Sequence, residues 1–272
     1  MCGIVGYLDK SGSGASGLGK TIVDMLKALD TRGPDSAGVA LFGGQPNGRL
    51  ILKVSLGESG DFDALADQVE RTVGSLAEVQ EISRVEEYLR LVVDYEGNAA
   101  DLENRIESAG EGVEVVSMGK TLEIVKQVGS PENLDATYGV SETKGTHGIG
   151  HTRLSTESRI DLSHSQPFWA HGYPDLAIVH NGHITNYHKL KRQYVQEGVK
   201  FYTENDSEII GIYLARGLTD GSSLREVMAA SLVELDGSFS YLAATGEEIG
   251  FVRDPFALKP LLYAETDDFV AV

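Results

Sequence analysis

The chain opens Met1-Cys-Gly-Ile-Val-Gly-Tyr-Leu8, which places its single cysteine at residue 2, directly before a short apolar run. Initiator methionine is usually removed before a small residue, so we expect the mature chain to begin with Cys2. A thiol and a free α-amine on one residue can then serve as nucleophile and base. The ordinary pKa of a thiol is about 8.5 and that of an α-amine about 7.7 to 8.0, close enough that proton transfer between them costs only about 1 kcal/mol. The alternative is an inert buried cysteine at the start of a strand.

Short β-type runs and helical stretches lie on both sides of the middle of the chain. Strands linked mostly by turns, with helices in separate blocks, predict an α+β fold in which antiparallel sheets are covered by helices. The expected strands are 4–8, 38–42, 50–54, 176–179, 238–244 and 250–252, and the expected helices are 21–29, 188–197, 207–217 and 224–235.

The middle of the chain is compositionally distinct. Residues 58–146 carry 20 Asp and Glu against 7 Lys and Arg, a formal charge of −13 out of −18 for the whole chain. Apolar residues from Phe62 to Leu76 recur at helical spacing and leave an acidic face. A strand at 85–93, a helix at 99–109 and strands at 113–116 and 122–128 are expected to follow. We interpret this segment as a small acidic α+β insert that is solvated or docks a partner.

The composition excludes several classes of protein. With 272 residues, 41% of them hydrophobic, the chain can bury a sizeable core. One cysteine excludes a disulfide framework and a thiolate zinc site, and favours a cytoplasmic location. Because the chain has no long apolar run, we expect it to have no signal peptide and no membrane span. The acidic balance makes nucleic acid an improbable partner. We expect no metal, because the histidines outside the motifs lack ligand spacing: 147, 164, 171, 183 and 188.

Three polar motifs suit acyl transfer. Arg153 lies between hydroxyl residues, where its guanidinium could hold a carboxylate through two hydrogen bonds; otherwise it is a surface arginine. Asn181-Gly182 follows an apolar run, where the Asn181 amide and the Gly182 N–H could stabilise an oxyanion. The same pair is also a common hairpin turn. Asp206 precedes a helix, so it could bind a substrate ammonium or simply cap that helix.

Seven motifs together resemble the class II glutamine amidotransferase domain, in the order found in that family. They begin at the N-terminus and leave out only the acidic insert. The motifs are Cys2-Gly-Ile-Val-Gly6, Arg32-Gly-Pro-Asp-Ser-Ala-Gly38, His151-Thr-Arg153, Ser165-Gln-Pro-Phe168, His180-Asn-Gly182, Glu204-Asn-Asp206 and Arg253-Asp-Pro255. The resemblance implies an N-terminal-nucleophile hydrolase fold, an αββα four-layer sandwich. The domain would span 2–272, interrupted by the insert at about 58–146.

The resemblance also implies an activity, the hydrolysis of L-glutamine to glutamate and ammonia. Cys2 would be the nucleophile, with Asn181 and the Gly182 N–H as the oxyanion hole. Arg153 would bind the glutamine α-carboxylate, and Asp206 its α-ammonium. The remaining assignments are Thr156 and His180 as further substrate contacts and Arg32 as a support that orders the loop beside the N-terminus. No cofactor is expected in this chain.

Within the family, the run Gly145 to Arg153 and the segment 265–272 are most similar to stand-alone glutaminase subunits related to glutamate synthase, of which N-methylglutamate synthase has one. We expect the fold and its insert to occupy all 272 residues, with no room for an ammonia-accepting domain. We therefore expect a hetero-oligomer with a separate synthase subunit, flavin- or iron–sulfur-containing.

Two other functions stay open at this stage. A scaffold or regulatory subunit of the same fold could sense glutamine without hydrolysing it. Alternatively, Gly14-Ala-Ser-Gly-Leu-Gly-Lys-Thr21 fits the phosphate-loop pattern of nucleotide hydrolases, with Asp94 as an acidic strand end. The spacing argues against that second function, because five residues separate the expected first strand from Gly14 where the loop should follow its strand directly.

Overall fold

The computed structural model describes residues 2–12, 17–43, 48–154 and 161–272. The helices are α1 Leu18–Lys27, α2 Phe62–Gly74, α3 Ala99–Glu107, α4 Pro131–Tyr138, α5 Tyr187–Gln196, α6 Ser207–Thr219 and α7 Leu224–Glu234, with short 3₁₀ turns at Asp30–Arg32 and Val140–Glu142. The strands are β1 Gly3–Asp9, β2 Ser36–Phe42, β3 Leu50–Ser55, β4 Glu78–Val85, β5 Tyr88–Asp94, β6 Glu114–Gly119, β7 Leu122–Val128, β8 His147–Arg153, β9 Phe168–Trp169, β10 Ala177–Ile184, β11 Gly237–Ala244, β12 Ile249–Arg253, β13 Ala264–Glu265 and β14 Phe269–Ala271.

Two antiparallel sheets stack to form the centre of the molecule. Sheet 1 has the order β13-β14-β1-β8-β2-β7, and sheet 2 has the order β12-β11-β10-β9. Helices α1 and α4 cover the outer face of sheet 1, while α6 and α7 cover sheet 2 with α5 beside α6. The layers are therefore α, β, β and α, as the sequence predicts.

Glycines let these layers approach closely. A Cβ atom at Gly6 of β1 would lie 2.4 Å from Leu242 Cδ2 in sheet 2. At Gly150 of β8 it would meet Leu26 of α1 at 3.1 Å. Strand β8 is central, lies between β1 and β2, and is buried along its length. Its sequence, His-Gly-Ile-Gly-His-Thr-Arg, lacks the β-branched run that would have identified it as a strand.

A third antiparallel sheet, of order β4-β5-β3-β6, lies beside β7 and carries α2 and α3. We call residues 50–119 the acidic module. Its boundaries differ from the expected 58–146, because β3 joins this sheet whereas β7 and α4 belong to the sandwich. The chain crosses between the two at residues 120–121. There Asp175 accepts hydrogen bonds from the Lys120, Thr121 and Leu122 N–H groups at 2.8 to 2.9 Å.

The module is joined to the sandwich by polar contacts as well as apolar packing. The Tyr88 hydroxyl donates to the Lys126 carbonyl at 3.0 Å. Arg90 holds Glu123 of β7 through two hydrogen bonds, of 2.9 and 3.0 Å. The strand expected at 85–93 is β5, which begins at Tyr88 because Glu86 takes a positive φ of 50° and turns the chain between β4 and β5. Strand β4 was not predicted.

Candidate active site

Cys2 lies at the N-terminal end of β1, opposite Arg153 at the end of β8. The register sets this pairing, since Gly3 is the partner of Thr152. Gly3 has no room for a side chain: a Cβ there would lie 2.7 Å from Thr152 Oγ1. The glycine therefore brings the chain tightly onto β8 and fixes where Cys2 emerges. The Cys2 thiol is half-buried, 3.9 Å from the Leu154 carbonyl oxygen.

Arg153 is a buried cation beside the thiol. It is 4% exposed, and burial lowers the pKa of its guanidinium. The same pKa is raised by three neighbouring groups, Cys2, Asp161 and Asp35, so each of them lies close enough to interact with the charge of Arg153. Arginine stays protonated in proteins, so the group is cationic despite this lowering of its pKa. A buried cation beside a thiol suits both thiolate formation and the binding of a substrate carboxylate.

Arg32 lies on the same side of β8. The next residue, Gly33, packs directly on this strand, where a Cβ would lie 2.6 Å from the Thr152 carbonyl carbon and oxygen. The loop that carries Arg32 is therefore seated against the backbone beside Arg153. This contact is consistent with the supporting role predicted for Arg32, which stays a prediction.

Asn181 and Gly182 lie inside β10, which continues to Ile184, and not in a hairpin turn. Side chains alternate across a strand. Asn181 therefore shares the face of Val179, which packs in the core between the sheets. Gly182 adopts a φ of +153°, and a Cβ there would lie 2.3 Å from the Ser238 carbonyl oxygen. Only glycine fits this position without displacing β11.

The backbone of Gly182 points away from β11. Its partner in register is Phe239. The Phe239 N–H donates to the Asp254 carboxylate at 3.0 Å, and the Phe239 carbonyl accepts from the Asp254 N–H at 2.9 Å, so neither group bonds to Gly182. Backbone groups alternate between the two edges of a strand. The N–H groups of His180, Gly182 and Ile184 therefore face one edge of β10, the edge beyond the end of β9. We call it the open edge.

His180 lies on the helix-covered face of β10, opposite to Asn181. Its Nδ1 is 2.7 Å from Ser207 Oγ and 3.7 Å from an Asp206 carboxylate oxygen. Burial lowers the pKa of His180, so the ring is neutral at pH 7. In this structure its side chain contacts the start of α6, and substrate contact by His180 stays a prediction.

Asp206 lies where α6 begins, but its side chain makes no capping bond to that helix. One carboxylate oxygen instead accepts from the Ile184 N–H at 2.7 Å. The carboxylate is thus held at the open edge of β10, two residues from Gly182. This placement suits the binding of a substrate ammonium better than simple helix capping.

A cavity of about 610 Å³ brings three of the predicted residues together, Cys2, Arg32 and Asn181. Its wall is mostly apolar and includes Met25, Leu29 and the segment 260–264. Sequence reasoning missed that segment, whose only signal is the apolar run Pro260 to Tyr263. Arg153 adjoins Cys2 outside the residues that line the cavity, and Thr156 lies outside the described residues.

The phosphate-loop pattern is not supported by the part of the loop that the structure describes, Gly17 to Thr21. The Gly19 N–H donates to the Thr143 carbonyl at 3.1 Å. A Cβ at Gly19 would lie 1.8 Å from the Val140 carbonyl oxygen, so no room is left for a phosphate beside it. Asp94 lies in the acidic module, on a different sheet from β1.

Within the described ranges, Glu103, Glu107 and His171 place possible metal-ligand atoms within 4.8 Å of one another. Each is already hydrogen-bonded. His171 Nδ1 and the Tyr202 hydroxyl both lie 2.6 Å from Glu103, and Lys200 donates to Glu107 at 2.7 Å. The group therefore functions as a polar junction between α3 and the sandwich, and we assign no metal to it. His171 lies in a turn, and 16% of its side chain is exposed.

No helix in the described part of the chain is long and apolar enough to cross a membrane.

Comparisons with known proteins agree with this geometry. A family model described as a glutamine amidotransferase domain matches residues 151–272. The glutamine amidotransferase-like protein GlxB of Rhizobium meliloti is 35% identical over 273 residues, covering all of this chain and 88% of that protein. A protein of Methanothermobacter thermautotrophicus, named provisionally as a glutamine amidotransferase, is 37% identical and is covered to 90%.

The fold is shared with a solved structure, glutamine phosphoribosylpyrophosphate amidotransferase from B. subtilis. The TM-score is 0.58 at 18% identity, and the match covers all of this chain but 41% of that one. This likeness confirms the predicted N-terminal-nucleophile hydrolase fold.

Proposed function

Because this chain belongs to the glutamine amidotransferase family, we propose that Cys2 hydrolyses the side-chain amide of L-glutamine and that the ammonia passes to a separate synthase subunit. The observation that carries the proposal is the convergence of Cys2, Arg32 and Asn181 on one cavity, with Arg153 opposite Cys2 in the sheet. These residues come from four distant parts of the sequence, and the fold alone brings them together.

The first half of the reaction forms a thioester. Removal of Met1 frees the Cys2 α-amine, which takes the thiol proton as the sulfur attacks the glutamine Cδ. The negative oxygen of the tetrahedral intermediate is stabilised by the Asn181 amide and the Gly182 N–H. The resulting ammonium then gives its proton to the departing nitrogen, which leaves as ammonia.

The second half is hydrolysis. The α-amine, now neutral, takes a proton from water as the water oxygen attacks the thioester carbonyl. Collapse of this second intermediate releases glutamate and restores the thiol. Throughout, Arg153 binds the α-carboxylate and Asp206 the α-ammonium, so the amino acid is held at both ends of its backbone. The scheme needs only thiol, amine and water, and we propose that the chain uses no cofactor.

The proposed partner is a synthase of the glutamate synthase type, and a surface beside the cavity supports a docking role. Phe256, Leu258 and Leu262 are 75%, 70% and 86% exposed, and Leu262 also lines the cavity. Large apolar side chains exposed together on one short segment are typical of protein interaction sites. A partner covering it would contact the wall of the cavity in which ammonia is released.

The test of hydrolysis uses glutamine labelled with ¹⁵N in the side-chain amide. We expect the purified chain to release labelled ammonia and glutamate in equal amounts, and the Cys2→Ala variant to release neither. Hydrolysis by the isolated chain should be slow and should rise when the partner is added. Binding of glutamine without turnover under both conditions would contradict the proposal and indicate a glutamine sensor.

The docking role has a separate test. Phe256→Ser and Leu258→Ser should weaken the complex with the synthase chain while leaving hydrolysis by the isolated chain unchanged, because neither residue lines the cavity. An exposed apolar residue of α5, Val195, provides the matched control through Val195→Ser, because it belongs neither to this surface nor to the acidic module. If the control and the test variants weakened the complex equally, the surface at 256–262 would have no special role.

A further inference from the structure

We propose that Gln166 is a positioning residue for the oxyanion donors, because its side chain holds the peptide groups of His180 at the open edge of β10. The inference rests on the proposed function. Gln166 is 5% exposed and belongs to the Ser165-Gln-Pro-Phe168 motif, to which no role was assigned.

The Gln166 amide replaces a missing strand. Phe168 of β9 pairs with Ile178 of β10, so two residues further along Gln166 lies opposite His180. The Gln166 backbone cannot continue the ladder, since it approaches β2, where a Cβ at Gly38 would lie 2.2 Å from the Gln166 carbonyl oxygen. The side chain makes both bonds instead. Oε1 accepts from the His180 N–H at 2.6 Å, and Nε2 donates to the His180 carbonyl at 3.1 Å.

The chemistry of these bonds fixes the orientation of the amide. A backbone N–H requires the amide oxygen, and a carbonyl requires the amide nitrogen. The second Nε2 hydrogen goes to Ser207 Oγ, at 3.1 Å. One buried amide thus joins the open edge of β10 to the first residue of α6, directly after Asp206.

His151 strengthens the same contact from sheet 1. Its Nε2 lies 3.2 Å from the His180 carbonyl oxygen. A carbonyl only accepts, so this nitrogen carries the ring proton. Burial keeps the ring neutral by lowering its pKa to about 3. The His180 carbonyl therefore has two side-chain donors, one from each side of the sandwich, and His151 lies two residues before Arg153.

The Gly182 N–H lies between two held groups. On one side Gln166 fixes the His180 N–H, and on the other Asp206 fixes the Ile184 N–H. All three N–H groups face the open edge. Gln166 does not reach the reacting atoms; it sets the direction of the donor that does. Loosening this clamp should weaken the stabilisation of the transition state more than the binding of the ground state.

The test compares Gln166→Met with Gln127→Met. Methionine keeps the length of the side chain and removes every hydrogen bond. Gln127 is a matched control, a half-buried amide of β7 that donates to Thr137 Oγ1 at 3.2 Å. We expect Gln166→Met to lower kcat about 10- to 100-fold, with KM changed less than about threefold. Gln127→Met should keep both constants.

A second readout separates positioning from general loosening. The γ-aldehyde of glutamate adds a thiol to form a tetrahedral adduct whose oxygen needs the oxyanion hole, whereas glutamate does not. Gln166→Met should weaken inhibition by the aldehyde by the same factor as kcat and leave glutamate binding unchanged. If glutamate binding fell equally, or if neither changed, the positioning role would be refuted.

Two further results also decide the matter: failure of the variant to fold, and failure of the wild-type chain to hydrolyse glutamine. If Gln166→Met does not fold, His151→Leu removes one of the two donors to the His180 carbonyl and should give a smaller loss of kcat and of aldehyde inhibition. Unchanged values in His151→Leu would then overturn the inference. A wild-type chain that does not hydrolyse glutamine overturns the proposed function, and the positioning role with it.

Discussion

The sandwich and the acidic module bury different kinds of residue. In the module the buried polar or charged residues among those described are Ser55, Glu103 and Ser117, and its interior is otherwise apolar. The sandwich buries Arg153, His151, His180, Asn181 and Gln166 at or beside the facing ends of β8 and β10. Buried polar groups are costly unless they are hydrogen-bonded. Their concentration in one region indicates that the molecule accepts a cost in folding free energy there in order to place polar groups at the candidate site.

The charge follows the opposite distribution. Residues 50–119 hold 16 Asp and Glu against 5 Lys and Arg, a formal charge of −11, and the acidic groups lie mostly at its surface. The module therefore has the interior of an ordinary small domain and a strongly charged exterior. Changes in the sandwich should alter catalysis, and changes in the module should alter stability or assembly.

The largest effect is expected at Gly182. Alanine there would place a Cβ 2.3 Å from the Ser238 carbonyl oxygen, so β10 must shift and the proposed oxyanion donor moves with it. We expect Gly182→Ala to lower kcat for glutamine hydrolysis by about 10²- to 10³-fold. Gly221→Ala is the control, because Gly221 also has a positive φ, of 92°, but faces open space. Equal losses of kcat in the two variants would mean that backbone strain alone is responsible.

The next effect compares two arginines that are both at least partly buried. Arg153→Ala should raise KM for glutamine about 30- to 100-fold, because it removes a charged hydrogen bond worth about 2 to 3 kcal/mol. Arg90 binds Glu123 where the module meets the sandwich. Arg90→Ala should lower the free energy of unfolding and leave KM unchanged. A wild-type KM in Arg153→Ala would refute its assignment to the substrate carboxylate.

The sandwich should also be the acid-sensitive part of the molecule. Burial lowers the pKa of His151 to about 3; the hydrogen bond to the His180 carbonyl opposes this shift, and the nearby charge of Arg153 adds to it. An unfolded histidine has a pKa of about 6.5, so acid protonates the unfolded chain first. The stability from the neutral ring is complete above about pH 6.5 and is lost as the pH falls towards 3.

Between pH 7 and 5 this loss amounts to about 2 kcal/mol for His151 alone. Urea unfolding at the two pH values measures it, and His151→Leu should flatten the dependence by that amount. An unchanged slope in the variant would show that other groups dominate the response to acid.

The smallest effect on catalysis is expected on α2 of the module, where Asp67 and Glu70 are exposed. Asp67→Asn combined with Glu70→Gln should leave kcat and KM for hydrolysis within about twofold of wild type, because surface changes of this kind rarely alter a distant site. Native mass spectrometry with the partner chain then tests the predicted docking role. If assembly and solubility were both unchanged, the acidic residues of α2 would have no docking role.

Much of the fold was predictable from local sequence patterns. The helical periodicity of α3 and α5 to α7 and the apolar runs of β1, β7 and β11 identify those elements to within a few residues. Strand β8 was not predicted. Its glycines allow the close packing of α1, and its histidines and arginine are polar, so the sequence does not have the pattern expected of a buried strand. The boundaries of the module were also not predicted, since the partner of a strand depends on distant residues and not on the strand's own composition.

The candidate site divides in the same way. Cys2, Arg32, Asn181 and Gly182 were predicted from their motifs, and the structure brings them to one cavity or one strand; their roles stay predictions. The role proposed for Gln166 could not be predicted from the sequence, because its partners lie 14 and 41 residues away and are backbone and hydroxyl groups without a sequence signature. Alternation along β10 separates Asn181 from His180, although the two are adjacent in the sequence.

The most direct test of the central claim is the intact mass of the protein after treatment with 6-diazo-5-oxo-norleucine, a glutamine analogue that alkylates a reactive thiol. We predict a chain that has lost Met1 and carries one adduct, located on Cys2 by peptide sequencing and prevented by excess glutamine. A chain that retains Met1 and gains no adduct would contradict the account, because the α-amine base would be blocked and the Cys2 thiol would not react as a nucleophile.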